Sequence, residues 1–397
     1  MTAPAARALL AALAGDGAAA RFVGGCVRDS LAGRPVRDID VATEATPDRV
    51  AALLRARGIR VIPTGLAHGT LTALVEGTVF EVTTLRRDID TDGRRAVVAF
   101  TGDWLADAAR RDFTINALYL DADGTLYDPT GGRADLAAGR VRFVGRARER
   151  LAEDVLRLLR FFRFHARYGT GAPDPDAMAA CGEFAPRLTG LSGERVWAEL
   201  GKILCGPDPG GTLRLMDRAG ALAPIVPGAT ALARLDGIVG IEAALGLGAA
   251  AVRRLAAALE AEDADTARLA RNLRMSRAEA ARLTRAVKAS GALIADPDPA
   301  ASGRRLYRWG EEGFADGLAI AWAGGGDEAA FESAARALAA WRRPVFPVGG
   351  RDAIALGAAP GPAVGELLRE VEAWWIAEGF APDRDACLAR LAAAAAS

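Results

Sequence analysis

Two aspartates one residue apart, Asp38 and Asp40, follow a glycine pair and an arginine. The run is Gly24-Gly25-Cys26-Val27-Arg28-Asp29-Ser30-Leu31, then Asp38-Ile39-Asp40. On an extended strand, residues two apart project to one face, so the two carboxylates stand side by side while Ile39 and Val41 turn to the core. Adjacent carboxylates repel unless cations lie between them. A hard divalent ion with oxygen ligands, magnesium (Mg2+), suits that pair. Two such ions can activate an attacking 3′-hydroxyl and stabilise a leaving pyrophosphate. Two glycines after a strand let backbone amides approach a triphosphate closely, and Arg28 offers a planar fork that neutralises phosphate charge. Taken singly, Gly-Gly is a tight turn and D-x-D a solvated strand end. Their order, with an arginine between them and β-rich runs around them, points to metal-dependent transfer from a triphosphate.

A second group lies further on. Apolar spacing predicts one helix over 151–167. Val155, Leu158, Leu159 and Phe162 form its core arc, and Asp154 and Arg157 are neighbours at the edge of that arc, three residues apart. Arg160, Arg163 and Arg167 fan around the opposite side. Two readings of the Asp154–Arg157 pair stay open. One is an intrahelical ion pair on a solvated face. The other is base reading. Cytosine and adenine both present an exocyclic amine beside an unprotonated ring nitrogen, so a carboxylate accepts from the amine while an arginine donates to the ring. Guanine and uracil present a carbonyl and a ring N–H there, leaving both protein groups facing like partners.

The elements needed to position these residues are legible. Phe22–Gly24 and Ile39–Ala42 read as strands. Thr46-Pro47 starts a helix, with Thr46 as N-cap, and Gly58 stops it. Thr70–Val75 and Thr78–Leu85, separated by Glu76-Gly77, read as a hairpin, and Leu118–Leu120 as a further strand. Glu81, with Phe80 and Val82 on the opposite face, is either a third carboxylate near the metals or an exposed strand residue. The stretch from Arg86 to Phe100 reads as a mobile loop. After Gly139 the periodicity is helical, and Gly206 to Gly211 breaks two helical units. The expected fold is α+β, a mixed β-sheet head followed by an all-helical remainder.

Composition narrows the setting. The chain has 397 residues, too many for one core, and 51% are hydrophobic, enough to give each unit its own. Formal net charge is zero, so any nucleic-acid partner must be held by local basic patches. Residues 140–167 supply one, with nine arginines against Glu149, Glu153 and Asp154. Cys26, Cys181, Cys205 and Cys387 lie far apart and read as reduced thiols. The alanine-rich N-terminus is interrupted by Asp16 and reads as a first helix. No apolar stretch is long enough to span a bilayer, so no membrane partner and a cytoplasmic location are expected. Oligomeric state is not readable.

Gly24-Gly25-x-Val27-Arg28-Asp29 with Asp38-x-Asp40 closely resembles the head signature of class II CCA-adding enzymes and bacterial poly(A) polymerases. Arg110-Arg111-Asp112-Phe113-Thr114-Ile115-Asn116-Ala117 resembles the family's second motif, and Asp128-Pro129 with Gly131-Gly132 and Asp135-Leu136 its head-to-neck connector. Glu153-Asp154-x-x-Arg157-x-x-Arg160 is similar to the nucleotide-selecting motif, and Ser192-Gly193-Glu194-Arg195 to a helix-capping element. The resemblance covers roughly 24–200 in the family's order. It implies a nucleotidyltransferase head over 1–140, a nucleotide-selecting neck over 141–205, and a body and tail over 206–300 and 301–397 that bind tRNA. It implies metal binding by Asp38 and Asp40, and triphosphate binding by Gly24, Gly25, Arg28 and Arg111. Base selection falls to Asp154 and Arg157, with Arg160 and Arg163 also touching the nucleotide. In the family a loop at 86–100 helps the switch from C to A addition.

The implied activity is addition of CCA to the 3′ end of tRNA from CTP and ATP. Poly(A) polymerases share every head motif but carry basic extensions that this neutral chain lacks. A-adding and CC-adding specialists remain open. A tRNA-binding protein with a dead head is disfavoured by the retention of both aspartates. Two isolated histidines, His68 and His165, cannot build the paired His-Asp phosphohydrolase site of some relatives; His165 reads as a packing or surface residue.

Overall fold

Short β-rich runs at the start of the chain, each alternating buried and open positions, assemble into one sheet. The computed structural model describes residues 4–91, 96–260 and 265–395, with backbone alone at 16, 67, 88–91 and 96–98. The chain divides into two compact units, Met1–Pro227 and Gly228–Ser397.

In the first unit, helix α1 (Pro4–Leu13) precedes strand β1 (Ala20–Val23), helix α2 (Gly25–Leu31), strand β2 (Ile39–Thr43) and helix α3 (Pro47–Ala56). Strands β3 (Arg60–Gly65), β4 (Thr70–Val75) and β5 (Thr78–Thr84) follow, then β6 (Arg86–Thr91) and β7 (Ala96–Phe100). Helix α4 (Trp104–Ala109), strands β8 (Tyr119–Leu120) and β9 (Leu126–Tyr127) and helix α5 (Gly132–Ala137) close the head. The sheet order is β3-β4-β5-β2-β1-β8-β9, with β2 and β5 parallel and the other pairs antiparallel.

The two sheet faces pack differently. Val41, Phe80 and Val82 join Leu9, Leu13, Val50 and Leu54 in one core under α1 and α3. Ala42 joins Val23, Leu85, Trp104 and Tyr119 on the other. Period-two alternation therefore puts Asp40, and Glu81 beside it on β5, on the second face. Thr46 occupies the N-cap position of α3, but its hydroxyl makes no capping bond; Pro47 at the first turn starts the helix instead.

Residues 86–91 and 96–100 are strands rather than loop. β6 and β7 pair as an antiparallel hairpin with an irregularity between Asp88 and Asp90; residues 92–95 lie outside the described residues. Ala96-Val-Val-Ala-Phe100 has strand propensity, and its pairing partner is the charged run that hid it.

Gly132, at the head-to-neck connector, approaches the Thr114 carbonyl so closely that a Cβ would come within 2.1 Å of its oxygen. Asp128 caps this turn by accepting from the Gly132 and Arg133 amides at 2.8 and 2.9 Å. Helices α6 (Ala147–Glu153), α7 (Leu156–Tyr168), α8 (Pro175–Phe184), α9 (Gly193–Leu204) and α10 (Pro209–Arg218) complete the unit. Phe113, Phe143, Phe161 and Phe164 interlock with ring centroids 5.0–6.4 Å apart and pin α7 to the head. His165 packs as expected, stacked on Phe161.

The single helix predicted over 151–167 is two helices. Asp154 ends α6 in an extended conformation (φ −152, ψ 105), and α7 begins at Leu156.

The second unit is helical among its described residues: α11 (Arg234–Ala244), α12 (Ala251–Ala257), α13 (Thr266–Asn272), α14 (Arg277–Ala295), α15 (Ser302–Ala323), α16 (Glu328–Ala340), α17 (Gly350–Ala355), α18 (Pro362–Ala377) and α19 (Arg384–Ala395). A buried ion cluster, Arg253 and Arg254 on Glu242 and Arg253 on Asp316, ties α11, α12 and α15. Among the described residues no helix is long and apolar enough to cross a membrane.

Candidate active site

Asp40 is the electrostatic centre of the head. Its parallel register partner is Glu81, and Asp38 sits one residue ahead of β2. The Asp40 carboxyl is pushed up to about 6 by burial and by repulsion from Glu81 and Asp38, against the pull of Arg111. Glu81 thus belongs with the aspartate pair. The alternation of Phe80, Glu81 and Val82 carried that signal, but the register with Asp40 did not show in the sequence.

Gly24, between β1 and α2, adopts φ +70, ψ −122, a conformation that side chains rarely adopt. A Cβ on it would lie 3.4 Å from Arg111 Nη1, and one on Gly25 3.7 Å from Arg28 Nη2. The structure therefore brings Gly24, Gly25, Arg28 and Arg111 together beside Asp40. Arg28 is buried, donating to Asp29 at 3.0 Å and to the Asn116 side-chain oxygen, with its guanidinium over the Tyr168 ring at 4.3 Å. The Tyr168 hydroxyl donates to Asp29 at 2.6 Å.

The second group is organised by partners the sequence does not put next to it. Asp154 accepts from Arg195 of α9 at 2.7 Å, and its other oxygen accepts from the Leu156 amide at 3.1 Å. Arg157 donates to Glu153 at 2.6 Å, to the Arg150 carbonyl at 3.1 Å and to the Arg110 carbonyl at 3.2 Å. The intrahelical Asp154–Arg157 ion pair is therefore absent: the helix break separates the two side chains, and each has another partner. Ser192 holds the N-cap position of α9 without a capping bond; the charged member of its motif, Arg195, holds Asp154. Asp154, Glu153, Arg187 and Arg195 line a cleft of about 460 Å³.

Segment 110–112 bridges the two groups. Arg111 faces the glycines, while Asp112 accepts from Arg160 at 2.8 Å and from the Asn116 side-chain amide at 2.9 Å. Burial works against the charge of Asp112, but Arg160 and Asn116 hold the carboxyl below its usual range. Arg163 donates to the buried Glu199 at 2.6 Å. Eight of the nine arginines in 140–167 lie within ion-pair distance of a carboxylate. Several of those acids, Asp112, Asp135, Glu183 and Glu199, come from outside the segment. The excess of positive charge seen along the sequence is much reduced in space.

Among the described residues no three His, Cys, Asp or Glu side chains converge tightly enough to enclose a metal. Magnesium does not require that. It keeps several waters and binds through one or two carboxylates plus substrate phosphates. The paired, partly buried carboxylates beside an arginine-lined cradle fit such an ion.

A carboxylate pair on a mixed sheet, a glycine turn flanked by arginines and a helical neck together define a nucleotidyltransferase head. Residues 20–142 match the family described as Poly A polymerase head domain, and residues 172–232 the one described as Probable RNA and SrmB-binding site of polymerase A. The mitochondrial CCA tRNA nucleotidyltransferase 1 of Danio rerio is 48% identical over 203 residues, 50% of this chain and 47% of that protein. The CCA-adding enzyme of Geobacillus thermodenitrificans is 41% identical over 211 residues, 53% of this chain and 51% of that protein. The chain thus spans about half the length of the curated relatives it matches. The crystal structure of the Bacillus stearothermophilus CCA-adding enzyme in complex with CTP superposes with a TM-score of 0.80 at 30% identity, over 98% of this chain and 96% of that one. The chain belongs to the CCA-adding enzyme family.

Proposed function

We propose that this chain adds C, C and A to the 3′ end of tRNA from CTP and ATP, without a nucleic-acid template, releasing pyrophosphate. The observation that carries the reading is the crowding of Asp38, Asp40 and Glu81 beside the Gly24–Arg28–Arg111 cradle. Asp38 and Asp40 are the metal ligands, and the ion is Mg2+. When bound, it supplies Lewis-acid stabilisation of the attacking hydroxyl and the leaving pyrophosphate. Gly24 and Gly25 let the triphosphate approach the backbone, while Arg28 and Arg111 balance its charge. Deprotonation of Asp40 readies it for the ion.

Base selection belongs to Asp154 and Arg157. Asp154 accepts from the amine of C or A, and Arg157 donates to the ring nitrogen. Glu153 at the end of α6 holds Arg157, and Arg195 on α9 holds Asp154, keeping the two side chains ready. Arg160 and Arg163 contact the nucleotide, with Arg163 turned to phosphate. Residues 1–140 act as catalytic head and 141–205 as neck, and the helices of 206–300 and 301–397 bind the tRNA. The four free cysteines support a cytoplasmic setting.

Asp38→Ala and Asp40→Ala are expected to stop incorporation of CMP and AMP into tRNA lacking its 3′ terminus, with tRNA binding retained. Incorporation at the wild-type rate by either variant contradicts the metal assignment.

A further inference from the structure

Arg111 is held by a residue outside every motif named above. Asp107, on α4, is 1% exposed, and both its oxygens are in use. Oδ2 accepts from Arg111 Nη2 at 2.9 Å, Arg111 Nε at 3.3 Å and the Tyr119 hydroxyl at 2.8 Å. Oδ1 accepts from Arg110 Nε at 2.8 Å and from the backbone N–H of Arg86 at 3.4 Å. With Nε and Nη2 engaged, the guanidinium plane of Arg111 is fixed. Nη1 is left facing Gly24 and the Asn116 carbonyl, the latter at 3.5 Å.

Arg86 is the first residue of the β6–β7 hairpin. The root of that hairpin is tied down locally. The Thr101 amide donates to the Leu85 carbonyl at 2.9 Å, and the Arg86 guanidinium donates to the His68 carbonyl. The Phe100 ring lies against Gly69, where a Cβ would meet a ring carbon at 2.6 Å. One buried carboxylate therefore carries the phosphate-side arginine on one oxygen and the hairpin root on the other.

We propose that Asp107 is a positioning residue that couples the root of the β6–β7 hairpin to Arg111, and through it to the bound triphosphate; this rests on the function proposed above. A carboxylate is rigid and planar, so following the Arg86 amide with Oδ1 swings Oδ2 and the Arg111 fork with it. The charge needed for this grip persists at neutral pH. Burial opposes it, but Arg111 and Arg110 hold the carboxyl below its usual range. A shift of the hairpin root thus alters where Arg111 Nη1 points beside Gly24.

The test is a double-mutant cycle read in KM for CTP and ATP and in nucleotide affinity by calorimetry with Mg2+. Asp107→Asn keeps the shape and loses the charge, and should raise KM about ten- to a hundredfold with a smaller change in kcat. Phe100→Ala frees the root without touching Asp107 or Arg111, and should raise KM severalfold in the wild-type background. In the Asp107→Asn background the same Phe100→Ala change should add little. Additive effects overturn the coupling. Tyr119→Phe keeps the ring but removes the hydroxyl that donates to Asp107 and accepts from Arg111 Nε at 3.1 Å, and should raise KM about threefold, so a poorly folding Asp107→Asn does not end the test. Wild-type KM in both Asp107→Asn and Tyr119→Phe, with only Tm lowered, makes Asp107 structural and overturns the proposal. If the wild-type chain adds no nucleotide to tRNA, the proposed function fails, and the calorimetric cycle still decides the coupling.

Discussion

Replacing Asp40 with Asn should abolish nucleotide addition and yet make the metal-free protein harder to unfold at pH 8. In the folded chain the Asp40 carboxyl sits at about 6, raised by burial and then by Glu81 and Asp38, against an ordinary value of 3.8. A folded-state value above the unfolded one means that protonation favours folding. The stability from this group is full below about pH 4 and is lost as pH rises through about 6. A gap of roughly two units at 1.36 kcal/mol each leaves the wild type about 3 kcal/mol less stable at pH 8 than it would be with a neutral group there. Asn carries no charge at any pH. The variant should therefore exceed the wild type at pH 8 and match it below about pH 4. For a unit the size of the first one, about 2–4 °C per kcal/mol translates to a gap of about 6–12 °C at pH 8. Thermal melts in chelator from pH 4 to 8 measure it. Mg2+ should then stabilise the wild type and leave the variant nearly unchanged. A variant that melts no higher than wild type at pH 8, or a gap that is the same at pH 4 and pH 8, refutes the electrostatic account of the site.

Other outcomes follow from the same geometry. Asp154→Ala should relax nucleotide choice by about tenfold to a hundredfold in kcat/KM ratios, because a lone-pair-only group no longer repels uracil O4 or guanine O6. Unchanged ratios across the four triphosphates would leave Asp154 as a partner of Arg195 and nothing more. Arg157→Ala should weaken both CTP and ATP, which steady-state kinetics on tRNA ending before the CCA would show; equal KM values would remove it from base reading. Affinity for tRNA should fall with salt as arginines displace condensed counterions, and a flat dependence would dissociate the 140–167 arginines from the tRNA backbone.

The head was legible because its rules are local. Glycines at a strand end, carboxylates at period two and apolar residues between them leave few arrangements, and the Thr70–Thr84 hairpin followed from its turn. The neck was less so. Leu151, Val155 and Leu158 keep a helical spacing straight through Asp154, so periodicity alone runs α6 and α7 together. The break is accompanied by an ion pair from Arg195, 41 residues away, and by the Arg157 bonds to Glu153 and the Arg150 carbonyl. The charge pattern misled for a related reason. Arginines 140–167 read as a bare patch only while Asp112, Asp135, Glu183 and Glu199 are out of view. The hairpin at 86–100 was hidden by charged residues that strands usually avoid. Asp107 had a signal, an acid three and four residues before two arginines, but nothing local tied it to the hairpin root.

The length of the product on tRNA ending before the CCA tests the central claim most directly. With purified protein and Mg2+, CTP alone should add two nucleotides and stop, CTP with ATP should add three, and ATP alone should add none. GTP and UTP should leave the tRNA unextended. No extension with CTP and ATP together, or a lengthening run of A from ATP alone, would contradict the account.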